Sequence, residues 1–225
     1  MNYRDYLRAF KSPLPKAVLT KWPGHIRQYW AENPALYSSS YGQTDPIHVH
    51  LAGHAGIDIA THHRDPVYAA HDGFVNKLDK NRYAAGGLSV WVESDVHDSE
   101  EPGNSKAITV YAHLDEYVVK EGDRIEQGQL LGYEGNTGFV ISGGTPYWGN
   151  APAGKGTHLH FGLYEFILKN GTWEPRYPNV LRNSSDPLPY ISESAENPEG
   201  VLAGMAAAIA NARKLLEYKF GKRSA

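Results

Sequence analysis

The stretch THLHFGL, Thr157 to Leu163, alternates polar and apolar residues as a half-buried β-strand does. In a strand, His158 and His160 lie on one face with Gly162, while three apolar residues lie on the other, Leu159, Phe161 and Leu163. The Cα atoms of the two histidines are then ~6.5 Å apart, because a strand rises about 3.3 Å per residue. Two imidazoles at this spacing are able to serve one reaction centre, although two surface histidines on a strand would give the same pattern.

The composition limits the class of protein and the kind of metal site. The 225 residues, 41% of them hydrophobic and 21% charged, suffice for one main domain with small appendages. A formal net charge of -3 offers no attraction to nucleic acid or to an anionic membrane surface, so we exclude both as partners. The chain has no cysteine, and a transition metal would therefore be bound by histidine and carboxylate side chains.

The sequence shows neither an export signal nor a membrane span. Residues 1–22 carry scattered charges and no unbroken apolar segment, so they do not resemble a secretory signal peptide. No stretch approaches ~20 consecutive apolar residues, and we expect no transmembrane segment. A chain without cysteine tolerates either redox state, so the composition leaves the compartment unknown.

The distribution of turn residues predicts a mainly β fold. Glycine, proline and tyrosine are frequent (23, 14 and 15 residues) and methionine is rare (2 residues), which favours strands and turns over a helical bundle. Over residues 46–192, short β-branched or aromatic runs are separated by glycine, proline, aspartate or asparagine, as in an antiparallel β domain. An exposed hairpin loop that includes His97 is predicted from Asp95 to Ser105, where apolar periodicity is lost.

Two appendages flank the predicted β domain. Residues 1–45 are interpreted as an irregular arm packed on the domain, with helix-capable segments at Tyr3–Phe10 and Ile26–Trp30. Residues 193–225 are interpreted as a C-terminal helix that begins with Asn197 as its N-cap. The apolar stripe of this helix is narrow, so we expect it to dock on the domain or on another chain rather than on a membrane.

A second candidate stretch is HAGID, His54 to Asp58. The glycines at 53 and 56 and the β-branched Ile57 and Ile59, within or next to this stretch, disfavour a helix. A fully extended chain would separate the Cα atoms of His54 and Asp58 by ~13 Å, which is too far for both to bind one metal through bonds of about 2 Å. A bend at Gly56 would bring them together, and glycine suits a bend because it accepts positive φ.

The third candidate stretch is TVYAHL, Thr109 to Leu114. Strict alternation places Thr109, Tyr111 and His113 on one face of the strand, so His113 is predicted to project from the same polar face as His158 and His160. Three histidines and an aspartate then converge on one side of a sheet. Two histidines and one aspartate with an open fourth position are typical of a catalytic zinc site, and further histidines would remain for proton transfer.

These stretches resemble the lysostaphin-like zinc metallopeptidases of the M23 type, whose hallmarks are HxxxD and HxH motifs on a β domain. The resemblance runs in order from about His54 to Ile191 and includes non-catalytic stretches: HAGID (54–58), PVYAAHDGFV (66–75), YAHL (111–114), the glycine-rich run from Val119 to Gly138, THLHF (157–161) and DPLPYI (186–191). It implies an antiparallel β-sandwich of the duplicated hybrid motif type.

The resemblance also implies roles for five side chains. His54, Asp58 and His160 match the ligands of one Zn²⁺ per chain, and His113 and His158 match the catalytic pair. The family cuts the stem peptide or cross-bridge of peptidoglycan, so the implied activity is that of a metalloendopeptidase in cell wall degradation. The sequence leaves open which of the two histidines is the general base and which peptide bond is cut.

The chain departs from the family pattern in one loop and in several extra histidines. The link from Phe139 to Gly156 is longer than the corresponding link in the family, which would change the wall of the substrate groove. Its aromatics Tyr147 and Trp148 either line a cleft or cap the edge of the core. His71 is interpreted as a packing residue. The remaining extra histidines are interpreted as structural or as turn residues: His48, His50, His62 and His63.

Two other functions remain as alternatives. A catalytically silent wall-binding or regulatory module could share the scaffold, although such modules usually lose metal ligands and the full set is present here. A phosphocarrier of the glucose class also presents two histidines on a β-sandwich, but it has no need of an aspartate such as Asp58.

The implied substrate places the protein at the cell wall, in the extracellular space, the periplasm or a virion. A phage endolysin or virion-associated enzyme is one hypothesis for a chain without a visible leader, and a chain given without its leader is another. The N-terminal arm and the C-terminal helix lie outside the resemblance, and docking to a partner through the helix is the corresponding hypothesis.

Overall fold

The computed structural model describes residues 3–19, 25–28, 30, 54–94, 105–178 and 183–193. Within these ranges it contains fourteen strands and two short helices: α1 Tyr3–Arg8, β1 Ile26–Gln28, β2 Ile57–Ile59, β3 Pro66–Tyr68, β4 Gly73–Asp79, β5 Leu88–Glu93, β6 Ser105–Leu114, β7 Glu116–Tyr117, β8 Arg124–Ile125, β9 Leu130–Tyr133, β10 Phe139–Ser142, β11 Thr145–Trp148, β12 Leu159–Lys169, β13 Thr172–Pro175, β14 Ser184–Ser185 and α2 Leu188–Glu193. None of the described helices is long and apolar enough to cross a membrane.

The described strands form three antiparallel sheets. The main sheet has nine strands, of which seven run in the order β1-β2-β12-β6-β5-β4-β8, while β13 and β14 pair with β12. A three-stranded sheet has the order β3-β9-β7, and β10 pairs with β11 as a hairpin. The longest strand, β12, carries the stretch THLHFGL from Leu159 onward and pairs with β2 on one side and β6 on the other.

One hydrophobic core lies between the main sheet and the three-stranded sheet. Ile57 and Phe161 of the main sheet belong to the same buried cluster as Val67 and Leu131 of the small sheet. Leu159, Phe161 and Leu163 all lie in this cluster, as the alternation of THLHFGL predicts. The mainly β, antiparallel sandwich predicted from the sequence is therefore confirmed.

The N-terminal segment is more regular than predicted. Helix α1 forms within the expected window and buries Tyr3, Tyr6 and Leu7 in the core. Residues 26–28, however, form strand β1 on the edge of β2, where Ile26 pairs with Ile59, so the expected helix there is wrong. A helix of a few residues is unstable alone, whereas pairing with β2 supplies hydrogen bonds at once.

Two predicted features lie outside the described residues, and a third lies largely outside them. The helix expected after Asn197 and the domain boundary proposed after residue 45 belong to this group. The loop predicted from Asp95 to Ser105 is described only at its end, but β5 and β6 on either side of it are paired antiparallel.

Candidate active site

Three neighbouring strands carry the candidate site. His160 of β12 is the cross-strand partner of both Asp58 of β2 and Ala112 of β6. Directly opposed residues of antiparallel strands point to the same face of a sheet, so Asp58 and His160 project side by side. The flanking residues of both strands are buried in the core on the other face: Ile57, Ile59, Leu159 and Phe161. The core thus fixes the direction in which the polar side chains point.

A bend in the HAGID stretch brings His54 back to Asp58. Residues 55 and 56 form a bend immediately before β2, and Nε2 of His54 lies 3.1 Å from Oδ1 of Asp58. Gly56 is needed for space, because a Cβ there would lie 2.5 Å from the carbonyl oxygen of Phe161 and 2.9 Å from the His160 ring. The predicted bend is confirmed, but its explanation by positive φ is wrong, since Gly56 is absent from the described residues with positive φ.

Three ligand atoms, from the segment before β2, from β2 and from β12, meet at one point. Nε2 of His54 lies 3.0 Å from Nδ1 of His160, and each of these nitrogens lies 3.1 Å from Oδ1 of Asp58. A tetrahedral ion with bonds of about 2.0–2.1 Å separates its ligand atoms by about 3.3 Å. The three side chains form a group that fits one metal ion. Nitrogen and carboxylate ligands with a fourth position left over suit catalytic zinc.

The electrostatics of the group favour the forms that bind a metal. Burial alone would raise the pKa of Asp58, but the adjacent His54 and His158 and hydrogen bonding from His160 hold it well below its usual value. Burial lowers the pKa of His160 against the opposing influence of Asp58. The carboxylate is therefore ionised and the His160 ring neutral near pH 7, as metal ligation requires.

His158 lies beside this group without joining it. Its Nδ1–H donates to the carbonyl oxygen of Gly156 at 2.8 Å, which leaves the lone pair on Nε2. That Nε2 lies 3.6 Å from Oδ2 of Asp58, the carboxylate oxygen that does not face His54 and His160. His158 is therefore oriented with Nε2 toward the centre of the site.

His113 reaches the site because a β-bulge turns it there. Leu88 pairs with Leu114 and Val90 with Tyr111, so β6 has one more residue than β5 in this interval. His113 has φ 62° within the bulge, a conformation that non-glycine residues rarely adopt. Its ring centroid lies 4.5 Å from that of His158, whereas Tyr111 lies in the hydrophobic core. The prediction that strict alternation places Tyr111 and His113 on one face is wrong, because an extra residue in a bulge reverses the alternation.

His113, like His158, is held by a hydrogen bond from Nδ1 to a backbone carbonyl oxygen. Its Nδ1–H donates to the carbonyl oxygen of Thr137 at 2.8 Å, and its backbone N–H donates to Gly86 at 2.8 Å. Burial, together with the nearby His158 and His160, lowers the pKa of His113 to about 3. The ring is neutral at pH 7, with Nε2 able to accept a proton.

A family model describes the same part of the chain. The model for peptidase family M23 matches residues 52–174, which contain all five side chains described above. The chain belongs to peptidase family M23. The family assignment agrees with the resemblance seen in the HAGID, YAHL and THLHF stretches, and zinc is the metal of these peptidases.

Curated relatives of this M23 chain are longer proteins. The chain is 28% identical over 167 residues to the glycyl-glycine endopeptidase ALE-1 of Staphylococcus capitis, covering 73% of this chain and 36% of that protein. It is 30% identical over 131 residues to the peptidoglycan DD-endopeptidase ShyC of Vibrio cholerae, covering 58% of this chain and 24% of that protein. The chain thus spans about a third or less of the relatives it matches.

The chain also resembles solved structures. A zinc-containing peptidase from Vibrio cholerae is 23% identical, with a TM-score of 0.49, and the alignment covers 80% of this chain and 40% of that one.

The buried carboxylate of Glu134, which the sequence did not reveal, lies next in the chain to a residue that is hydrogen bonded to His158. The backbone N–H and the hydroxyl of Thr61 donate to the carboxylate of Glu134, and Glu134 and its neighbours Arg64 and Asp65 exchange backbone hydrogen bonds. The next residue, Gly135, accepts a hydrogen bond from the backbone N–H of His158 at 3.1 Å. Nothing in the local sequence pairs Glu134 with a threonine so distant along the chain.

The other histidines differ in their environment. His71 is buried as predicted, and it is hydrogen bonded to Tyr6 and Thr109 at 2.8 Å each and stacks on Phe10. His62 is an exposed turn residue beside Asp65. His63 also lies in the turn, but its Nδ1 is 3.3 Å from the hydroxyl of Thr157, next to the HLH motif. Three histidines lie outside the described residues: His48, His50 and His97.

Proposed function

We propose that this chain is a zinc-dependent endopeptidase that hydrolyses peptide bonds of bacterial peptidoglycan. The observation that carries the proposal is the convergence of three ligand atoms, on His54, Asp58 and His160, within 3.0–3.1 Å of one another. Beside them, a backbone carbonyl accepts the hydrogen of Nδ1 in both His113 and His158, so each ring is held with Nε2 as the nitrogen left for chemistry. Metal ligands and proton acceptors are the two components that metal-assisted hydrolysis of an amide uses.

His54, Asp58 and His160 would hold the zinc ion. Bound zinc polarises a carbonyl group and lowers the pKa of a bound water toward ~7. His113 and His158 would take up the proton of the attacking water and return a proton to the leaving amine, because their rings lie against each other at the edge of the group. When protonated, either ring would also stabilise negative charge on the substrate carbonyl oxygen.

Peptidoglycan is the substrate class that the relatives support. ALE-1 is named a glycyl-glycine endopeptidase and ShyC a peptidoglycan DD-endopeptidase. Both names describe enzymes that cut peptide bonds, and the second names peptidoglycan as the substrate. The site of action would accordingly be the cell wall, and a phage or other wall-lysis enzyme is the role that we propose.

The decisive experiment combines metal analysis with digestion of peptidoglycan. Metal-replete protein is measured for zinc by mass spectrometry and is then incubated with purified peptidoglycan of several wall chemotypes. We expect one zinc per chain and the release of new amino termini from at least one chemotype. Protein that holds no zinc, or that holds zinc and cuts none of the chemotypes, overturns the proposal.

A further inference from the structure

Two of the most exposed aromatic residues lie on segments that contact each other. In the described part of the chain, Tyr83 is 61% exposed and Trp148 is 52% exposed. A Cβ placed on Gly149, the neighbour of Trp148, would lie 2.7 Å from the Tyr83 ring. Trp148 also packs on Phe139 across the hairpin, with ring centroids 4.6 Å apart. We name Tyr83, Phe139 and Trp148 the aromatic platform.

Backbone hydrogen bonds hold the platform rigidly. Gly149 donates to Gly138 at 2.7 Å, and Gly138 donates to the carbonyl of Arg82 at 2.7 Å. Phe139 donates to Ala85 at 2.9 Å. The hairpin β10–β11 is thereby joined to the loop that carries Tyr83, so the platform residues keep their relative positions. Rigid aromatic side chains lose little conformational entropy when they bind a ligand.

The same loop joins the platform to the candidate active site. Gly86, three residues after Tyr83, accepts the backbone hydrogen bond of His113 at 2.8 Å. Three residues span at most about 10 Å of extended chain, so the Cα of Tyr83 lies within that distance of the Cα of Gly86. The platform is therefore close enough for one extended substrate to contact it and the site together.

The chemistry of the platform suits an uncharged ligand with polar edges. Strands β10 and β11 contain no charged residue, so the hairpin offers no ion pair to a charged partner. The face of an aromatic ring carries partial negative charge and attracts the polarised C–H groups on the flat face of a sugar ring. Hydroxyl and amide groups at the edge of the sugar remain in water.

We propose that the aromatic platform binds the glycan strand of peptidoglycan and so presents the attached stem peptide to the candidate active site. The proposal rests on the proposed function for the identity of the polymer. It assigns the lengthened Phe139–Gly156 link a role in substrate binding that is separate from metal binding and proton transfer.

The first test measures sugar binding without any reaction. The full chain is titrated by calorimetry with soluble oligomers of N-acetylglucosamine, which carry no peptide. We expect saturable binding that Trp148→Ala and Tyr83→Ala each weaken about five- to tenfold, while Trp148→Phe retains it. Tyr177→Ala is the matched control, since Tyr177 is an exposed aromatic elsewhere (42% exposed) and its loss should leave binding unchanged. Absence of saturable binding, or equal affinity in all variants, overturns the proposal.

The second test compares two substrates. Intact cell-wall sacculi carry both glycan and peptide, whereas a soluble cross-linked peptide carries no sugar. We expect Trp148→Ala to raise the sacculus concentration for half-maximal rate about fivefold and to leave cleavage of the soluble peptide unchanged. An equal loss on both substrates overturns the platform proposal. If the wild-type chain cuts neither substrate, the proposed peptidase function fails, and the calorimetric test still decides on sugar binding.

Discussion

His160 and Asp58 face each other across β12 and β2, with Nδ1 of the histidine 3.1 Å from Oδ1 of the aspartate. His54 Nε2 is equally close to the same oxygen, so these three atoms form the ligand group. Loss of the His160 ring leaves only two of them. We predict that His160→Ala abolishes stoichiometric zinc binding, measured by mass spectrometry after dialysis against micromolar zinc. Full zinc content in this variant would contradict the assignment of His160 as a ligand.

His158 should behave in the opposite way. Its Nε2 lies 3.6 Å from Asp58 and outside the group of three ligand atoms, so His158→Ala should keep one zinc per chain. General acid–base groups contribute about 10²- to 10⁴-fold to rate, and we predict a fall in kcat of that order on a peptide substrate. His62→Ala is the control, because that ring is exposed in a turn. Loss of zinc in His158→Ala would contradict the prediction.

Removal of the metal should destabilise the protein. A ligand that binds only the folded state adds about 4 kcal/mol of stability at a thousand times its Kd. The three ligand atoms belong to the segment before β2, to β2 and to β12, so they converge only when the sheet is formed. We predict that a chelator lowers Tm by several degrees and that added zinc restores it. An equal shift in His160→Ala would show that the effect has another source.

Gly56 should not tolerate a side chain. A Cβ at this position meets the Phe161 carbonyl oxygen and the His160 ring at 2.5 and 2.9 Å, so Gly56→Ala must displace the backbone or the ligand. Overpacking typically costs about 1–3 kcal/mol, and we predict a loss of that size together with weaker zinc binding. Gly86→Ala is the matched control, since its Cβ would make only an ordinary contact of 3.7 Å with Ala112. Chemical denaturation and zinc titration of both variants provide the measurements.

Glu134 should make stability fall as the pH rises. Burial raises the pKa of this carboxyl from 4.5 to about 7 against the hydrogen bonds from Thr61. Between these values the carboxyl keeps a proton in the folded state that it releases in the unfolded state. The contribution of Glu134 to stability is therefore fully present below about pH 4.5 and declines up to about pH 7, by no more than about 1.4 kcal/mol per pH unit.

A neutral replacement isolates this effect. We predict that Glu134→Gln removes the decline, measured as the difference in unfolding free energy between variant and wild type from pH 4.5 to pH 8. Glu174→Gln, at a half-exposed carboxylate paired with Lys169, should follow the wild-type curve. Parallel curves for Glu134→Gln and wild type would contradict the prediction.

Local patterns were sufficient for the main strand and for the choice of candidate residues. The alternation of THLHFGL correctly assigned Leu159 and Phe161 to the core, because the period of two in a strand is a local property. The motifs also selected the five side chains that the fold brings together. Local patterns failed at β1, where a neighbouring strand determined the conformation of Ile26, and at Gly56, where the His160 ring from a distant strand determined why glycine is required.

The sequence by itself determined the antiparallel β fold, the family and the identity of the candidate site residues, since periodicity and motif spacing are written along the chain. Only the tertiary structure decided that a bulge turns His113 into the site and that the Glu134 carboxylate accepts hydrogen bonds from Thr61. It also decided that Tyr83 lies against the hairpin that carries Trp148. Each of these relationships joins residues of different strands or loops. Their physical basis is strand pairing and close packing, which exist only after the chain has folded.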